Sequence, residues 1–233
     1  MSHSAQIEFV GIAKSLFPAF FERKKVLEIG SLDINGAIRG CFNDCDYIGL
    51  DVAPGPGVDV VCEGQKYDIP DASFDVVISC EVMEHNPFWK ETVENMIRLL
   101  KPGGIMVMSC ATTGRPEHGT SRTDVGSSPL TVEKGWEYYR NLSEKDFARA
   151  VDFSPFLSFG FATNWNSYDL YFLGIKRGGA VTGETEIERF KSFYKRRNAS
   201  VWLQRLNRVV RDPTRIVSFL LRKTGRGLLS PKA

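Results

Sequence analysis

The chain has 233 residues, 42% hydrophobic and 25% charged, a balance that excludes a disordered chain and supplies enough apolar surface for one main core. Its net charge of +2 is unevenly divided: residues 181–233 carry 13 Lys and Arg against 4 Asp and Glu, or +9, leaving 17 against 24, or −7, for residues 1–180. No run approaches the roughly 18 apolar residues of a membrane-spanning helix, and the opening MSHSAQIEF lacks the basic region and apolar run of a secretory signal, so the expected location is the cytoplasm.

Residues 5–21 place Ile7, Val10, Leu16, Phe17 and Phe20 at helical spacing and predict a lead-in helix within residues 1–22. Apolar runs of strand length follow at 26–29, 47–50, 58–61, 74–79, 105–110 and 168–175, with a weaker one at 156–162. The stretch GSLDINGAIRG after the first run is turn-rich and ends in what reads as a helix start. FWKETVENMIRLL at 88–100 is the clearest helix, closed by KPGG, and a second begins at Ser143, whose Asp146 three residues on suits an N-cap. Continuous apolar strands alternating with helices predict an α/β domain over 23–178 with a doubly wound, mostly parallel sheet covered on both faces. Ligands of such sheets sit at the carboxyl ends of the strands.

The strand ends carry a coherent set of polar groups. Glu28 and Gly30 follow the first, and Gly30 lets a ligand approach the backbone. Asp51 ends YIGLD, where a carboxylate can accept from a ribose diol, although Asp beside Pro and Gly also suits a plain turn. Glu63 and Gly64 end the third, and Ser79, Cys80 and Glu81 the fourth, with His85 close behind. The five cysteines are odd in number, three of them within or beside apolar runs, and CxxxC at Cys41 and Cys45 has no second pair; neither a disulfide framework nor a metal site is expected.

VLEIG, YIGLD, CEG, SFDVVISCEVMEH and LLKPGGIMVMS, in this order and spacing, resemble the successive motifs of class I S-adenosylmethionine-dependent methyltransferases. The resemblance covers residues 24–110 and extends to YDLYFLGIKR at 168–177. It implies a seven-stranded Rossmann-like sheet with S-adenosyl-L-methionine as cofactor: Glu28, Gly30 and Ser31 at its methionine part, Asp51 and Val52 at its ribose, Glu63 and Gly64 at its adenine, and Cys80 facing it from the fourth strand. The glycine-rich run usual in that family is here GSLDING, with Leu32 where a second glycine commonly stands. No GxGxxG is present, which argues against a nicotinamide enzyme.

Residues 111–142, rich in Gly, Ser and Thr, are too long for a simple connection and read as a substrate lid. His118 within it and His85 at the fourth strand end are the candidate catalytic bases. The expected acceptor is a small molecule or saccharide, methylated at oxygen. The Asn/Asp-Pro-Pro-Tyr/Phe segment by which base-amino methyltransferases grip a flipped base is missing after the fourth strand, which disfavours nucleic acid. The alternatives are an RNA methyltransferase using the basic tail, or a non-catalytic cofactor-binding partner subunit. The tail at 181–233 is read as two helical pieces divided at Pro213, with arginines interleaved among apolar residues. Such a surface suits packing on the body or another subunit, or a peripheral contact with an anionic membrane.

Overall fold

The computed structural model describes residues 4–34 and 36–211, with side chains in the last helix described as far as Leu203. Seven strands form one sheet: β1 (Lys25–Ile29), β2 (Asp46–Asp51), β3 (Val60–Val61), β4 (Phe74–Cys80), β5 (Leu100–Ala111), β6 (Phe156–Asn164) and β7 (Asp169–Lys176), in the order β3-β2-β1-β4-β5-β7-β6. Adjacent strands from β3 through β5 pair in parallel, and β7 runs antiparallel to both β5 and β6. Strand order reverses between β1 and β4, so the crevice beyond their carboxyl ends is the topological switch point.

The period-2 alternation of the strands divides the core into two layers. Leu27 and Ile29 of β1, Val77 of β4, Met106 and Met108 of β5 and Phe172 of β7 pack with α2 (Trp89–Leu99) and α4 (Glu144–Ala150) through Trp89, Val93, Met96 and Phe147. Val26, Val76, Ile78, Ile105, Val107 and Tyr171 point to the other face. There they meet α1 (Ser4–Leu16) and α5 (Glu184–Arg211) through Phe9, Val10, Ile187 and Phe190. The α4 start is a full capping box: Ser143 Oγ accepts from the Asp146 N–H, and Asp146 Oδ2 accepts from the Ser143 N–H at 2.9 Å.

Some elements depart from the sequence expectation. The buried side of α1 is Gln6, Phe9, Val10 and Ala13, whereas Ile7 is 46% exposed, because the helix docks by its 6-9-10-13 stripe. Between β1 and β2 the expected helix is one 3-10 turn, Ile38–Cys41, in a connection interrupted by Gly30, Gly36 and Gly40. β3 keeps two of its four expected residues, since the Val58 N–H closes a turn onto the Gly55 carbonyl. KPGG follows the end of α2 at Leu99 as expected, but in place of a turn it is the first part of β5, where the pairing with β4 slips between Phe74 and Val76. α5 runs unbroken to Arg211 with Trp202 and Leu203 exposed; the tail beyond it, including the break expected at Pro213, lies outside the described residues. No helix among the described residues is long and apolar enough to cross a membrane.

Candidate functional site

The carboxyl ends of β1, β2, β3 and β4 border a single cleft of about 640 Å³, open to solvent. Gly30, Asp51, Val52, Cys62, Gly64, Cys80 and Glu81 line its floor. The far wall comes from the 112–142 segment: Ser127, α3 (Pro129–Glu133) and Trp136. Gly30 has φ +81, and a Cβ there would stand 2.0 Å from Val82 Cγ2, so β1 and β4 can converge only around a glycine. Leu32, at the position of the family's second glycine, turns its side chain against Gly55. Its N–H donates to Asp51 Oδ2 at 3.0 Å, while the Val52 N–H donates to Oδ1 at 2.7 Å. Burial raises the Asp51 pKa, and those two amides partly counter it. The carboxylate is therefore fixed in direction by the backbone on both sides.

A smaller cavity shares Gly30, Leu32 and Cys80 with the cleft and adds Gln6, Glu28 and Ser31. Glu28 is buried and accepts from the Tyr47 hydroxyl at 2.8 Å; burial raises its pKa to about 7 despite that bond. Both polar atoms of the Gln6 amide and the Ser31 hydroxyl are buried without a protein partner.

Glu63 is not on the cleft wall. Lys66 Nζ at 2.9 Å and Lys134 Nζ at 3.0 Å pair with it, and Gln65 Nε2 donates to it at 2.8 Å. These bonds outweigh the effect of its partial burial and hold its pKa below the usual value. The wall at that point is Cys62 and Gly64 instead, and the Lys134 contact ties the 112–142 segment to the end of β3.

At the other end of the cleft, Glu81 follows β4 with φ +56, a left-handed backbone that strains a non-glycine residue, and accepts from Ser109 Oγ at 3.0 Å. Its side chain and that of His85 line the cleft. His118 does not line it but stands against His85, ring centroids 4.9 Å apart and nearly perpendicular. Tyr139 packs on both rings, at 5.4 Å and 5.0 Å. Burial, then the neighbouring His118, lowers the His85 pKa to about 3; burial also lowers that of the half-buried His118. Both imidazoles are neutral at pH 7.

The family model described as a methyltransferase domain matches residues 42–108, the stretch that contributes Asp51, Gly64, Cys80 and His85. The sheet order, with its antiparallel seventh strand, agrees. Over residues 42–108 the chain thus resembles a methyltransferase domain. Solved structures with a similar fold include a Haemonchus contortus phosphoethanolamine N-methyltransferase 2 in complex with S-adenosyl-L-methionine, at 15% identity and TM-score 0.52 over 73% of this chain and 52% of that one. A Burkholderia thailandensis 1,6-didemethyltoxoflavin-N1-methyltransferase with bound 1,6-didemethyltoxoflavin and S-adenosylhomocysteine matches at 15% identity and TM-score 0.50, over 72% and 77%. The chain thus spans about half the length of the first protein and three quarters of the second. A comparison with curated proteins finds no match.

The predicted residues fall into three groups. Gly30, Asp51, Val52, Gly64, Cys80 and His85 line one cleft; Glu28 and Ser31 line the adjoining cavity; Glu63 and His118 stand behind the walls. Sequence reasoning missed Gln6, Leu130 and Glu84. Gln6 had a legible signal, a lone amide on the apolar 6-9-10-13 stripe of α1. Leu130 and Glu84 had none, because long connections determine what they face.

Proposed function

We propose that this domain transfers a methyl group from S-adenosylmethionine to a hydroxyl of a small-molecule or saccharide acceptor. The observation that carries the reading is the convergence of four neighbouring strand ends on one cleft, with the Asp51 carboxylate pinned by two backbone amides. A fixed carboxylate at the end of β2 suits a ribose diol. The unpartnered Gln6 amide and Ser31 hydroxyl, beside a carboxyl group with pKa about 7, suit the amino and carboxylate groups of an amino acid. Apolar Leu50, Leu130 and the backbone at Gly64 suit an adenine ring.

When bound, S-adenosylmethionine supplies an electrophilic methyl on a sulfonium. The protein's part is alignment: Asp51 and Gly30 fix the cofactor's ribose and methionine ends, and the 112–142 segment excludes water from above. A hydroxyl acceptor must give up a proton, and a neutral imidazole on the cleft wall, His85, with a second, His118, packed behind it, supports oxygen. His85 on the cleft wall meets the acceptor's proton first; behind it His118 Nδ1 donates to the Pro116 carbonyl at 3.0 Å, which leaves its Nε2 lone pair to share that proton.

The test is calorimetry with S-adenosylhomocysteine on the wild type and Asp51→Ala. The expected loss is about 1.5–3 kcal/mol, the usual worth of hydrogen bonds to a charged group. Unchanged affinity would remove the ribose assignment.

A further inference from the structure

Glu84 and the two histidines carry more than a proton relay needs. Glu84, at the 3-10 turn Met83–His85, is fully buried; its Oε1 accepts from the Ala111 N–H at 3.1 Å, while Oε2 is buried without a partner. His85 is 3% exposed, and its Nδ1 likewise has no partner. One ligand-type atom from each of Glu84, His85 and His118 lies within 4.8 Å of the other two. Three groups that can each offer a lone pair therefore meet at one point, two of them holding buried atoms that nothing in the protein satisfies.

The surroundings orient these groups. The Pro116 carbonyl accepts from His118 Nδ1–H and fixes the tautomer whose Nε2 is free, the arrangement by which a ligating histidine is usually steered. Tyr139 packs against both rings, and its hydroxyl donates to the same Pro116 carbonyl at 3.1 Å. Gly119, with φ +66, lets the segment approach His85 closely: a Cβ there would stand 2.6 Å from His85 Cε1. Burial and the neighbouring Glu81 raise the Glu84 pKa well above the usual carboxylate range, so an ion entering there displaces a proton.

We propose that Glu84, His85 and His118 bind a divalent first-row transition-metal ion at the acceptor end of the cleft. Two imidazoles and one carboxylate suit Zn²⁺, Mn²⁺, Co²⁺ or Fe²⁺ better than Mg²⁺ or Ca²⁺, which prefer all-oxygen sets. Three protein ligands leave a coordination position open, and His85 is shared with the cleft wall, so the open position is available to an acceptor oxygen. Bonds of about 2.1 Å place tetrahedral ligand atoms about 3.4 Å apart. From a spread of up to 4.8 Å, the cluster must close by up to about 1.4 Å. The inference rests on the reading of this end of the cleft as the acceptor site, and it changes what the histidines do there: they hold the ion that contacts the hydroxyl.

The experiment titrates the chelator-treated full-length protein with Co²⁺, followed by visible absorption, and repeats it with His118→Ala and Glu84→Gln. The wild type is expected to take up one equivalent with ligand-field bands that Zn²⁺ abolishes. His118→Ala, a truncation at a half-buried position, should bind at least about 100-fold more weakly, the upper end of what loss of an outer-sphere partner alone costs. No uptake by the wild type, or equal uptake by His118→Ala, would overturn the site. S-adenosylhomocysteine calorimetry on the same samples separates the two claims: Co²⁺ uptake that needs His118 in a protein that binds no S-adenosylhomocysteine would keep the metal site and remove the methyltransferase reading.

Discussion

The two ends of the cleft are built differently. At the end proposed for the cofactor, Gly30, Asp51 and Cys80 stand at or just beyond the tips of adjacent parallel strands, and backbone amides hold the first two: the Gly30 and Ser31 N–H groups donate to the Leu50 carbonyl, and the Leu32 and Val52 N–H groups to the Asp51 carboxylate. At the end proposed for the acceptor, His118 and Trp136 sit on a long connection tied to the body at a few points, by Lys134 to Glu63 and by the Arg140 and Leu142 N–H groups to the Glu84 and Ala111 carbonyls. Perturbing the first should cost stability as well as binding. The second can change its chemistry at little cost to the fold, which is why scaffolds of this kind keep a common cofactor floor while the segment above it varies.

The sharpest way to break this contrast is Gly30→Ala. A positive φ and a side chain forced onto Val82 should together cost about 2–4 kcal/mol in urea unfolding and abolish S-adenosylhomocysteine binding. A cost below about 1 kcal/mol would mean that the strand tips are more pliable than argued.

Glu28 gives the next largest effect. Its carboxyl is held at about 7 by burial, against an ordinary 4.5. The folded state therefore binds the proton more tightly than the unfolded chain. The stability this provides is fully present below pH 4.5 and is lost as pH rises through 7, a change of up to about 3 kcal/mol. Melting curves of Glu28→Gln, which can still accept from Tyr47, should lack that part of the decline between about pH 5 and 8. Parallel pH profiles for the two proteins would sink the assignment.

Ser143→Ala is the smallest of the three. It removes half of the capping box where the acceptor-side segment passes into α4 and should cost about 1 kcal/mol, leaving S-adenosylhomocysteine affinity unchanged. A loss of affinity in that variant would show the two ends of the cleft to be coupled.

Most of the sheet was legible in the chain itself. All seven strands are present close to their expected positions, because strands buried on both faces must be continuous apolar runs; parallel β1, β2, β4 and β5 then place Glu28, Asp51 and Cys80 at one edge whatever lies between. Their convergence on one cleft and its adjoining cavity followed from that. Glu63, expected at the adenine, stands behind the cleft wall, where Lys134, 71 positions away, reaches back to pair with its carboxylate.

Local sequence thus determined which residues end strands, since period and composition act over a few neighbouring positions. Only the tertiary structure decided what stands opposite them. His118 lies 33 positions from His85, and the two rings meet because the connection after β5 folds back over the sheet and crosses above it at Gly119. No spacing rule covers such a meeting, because a long loop's path is set by the contacts at its far side rather than by its own repeat.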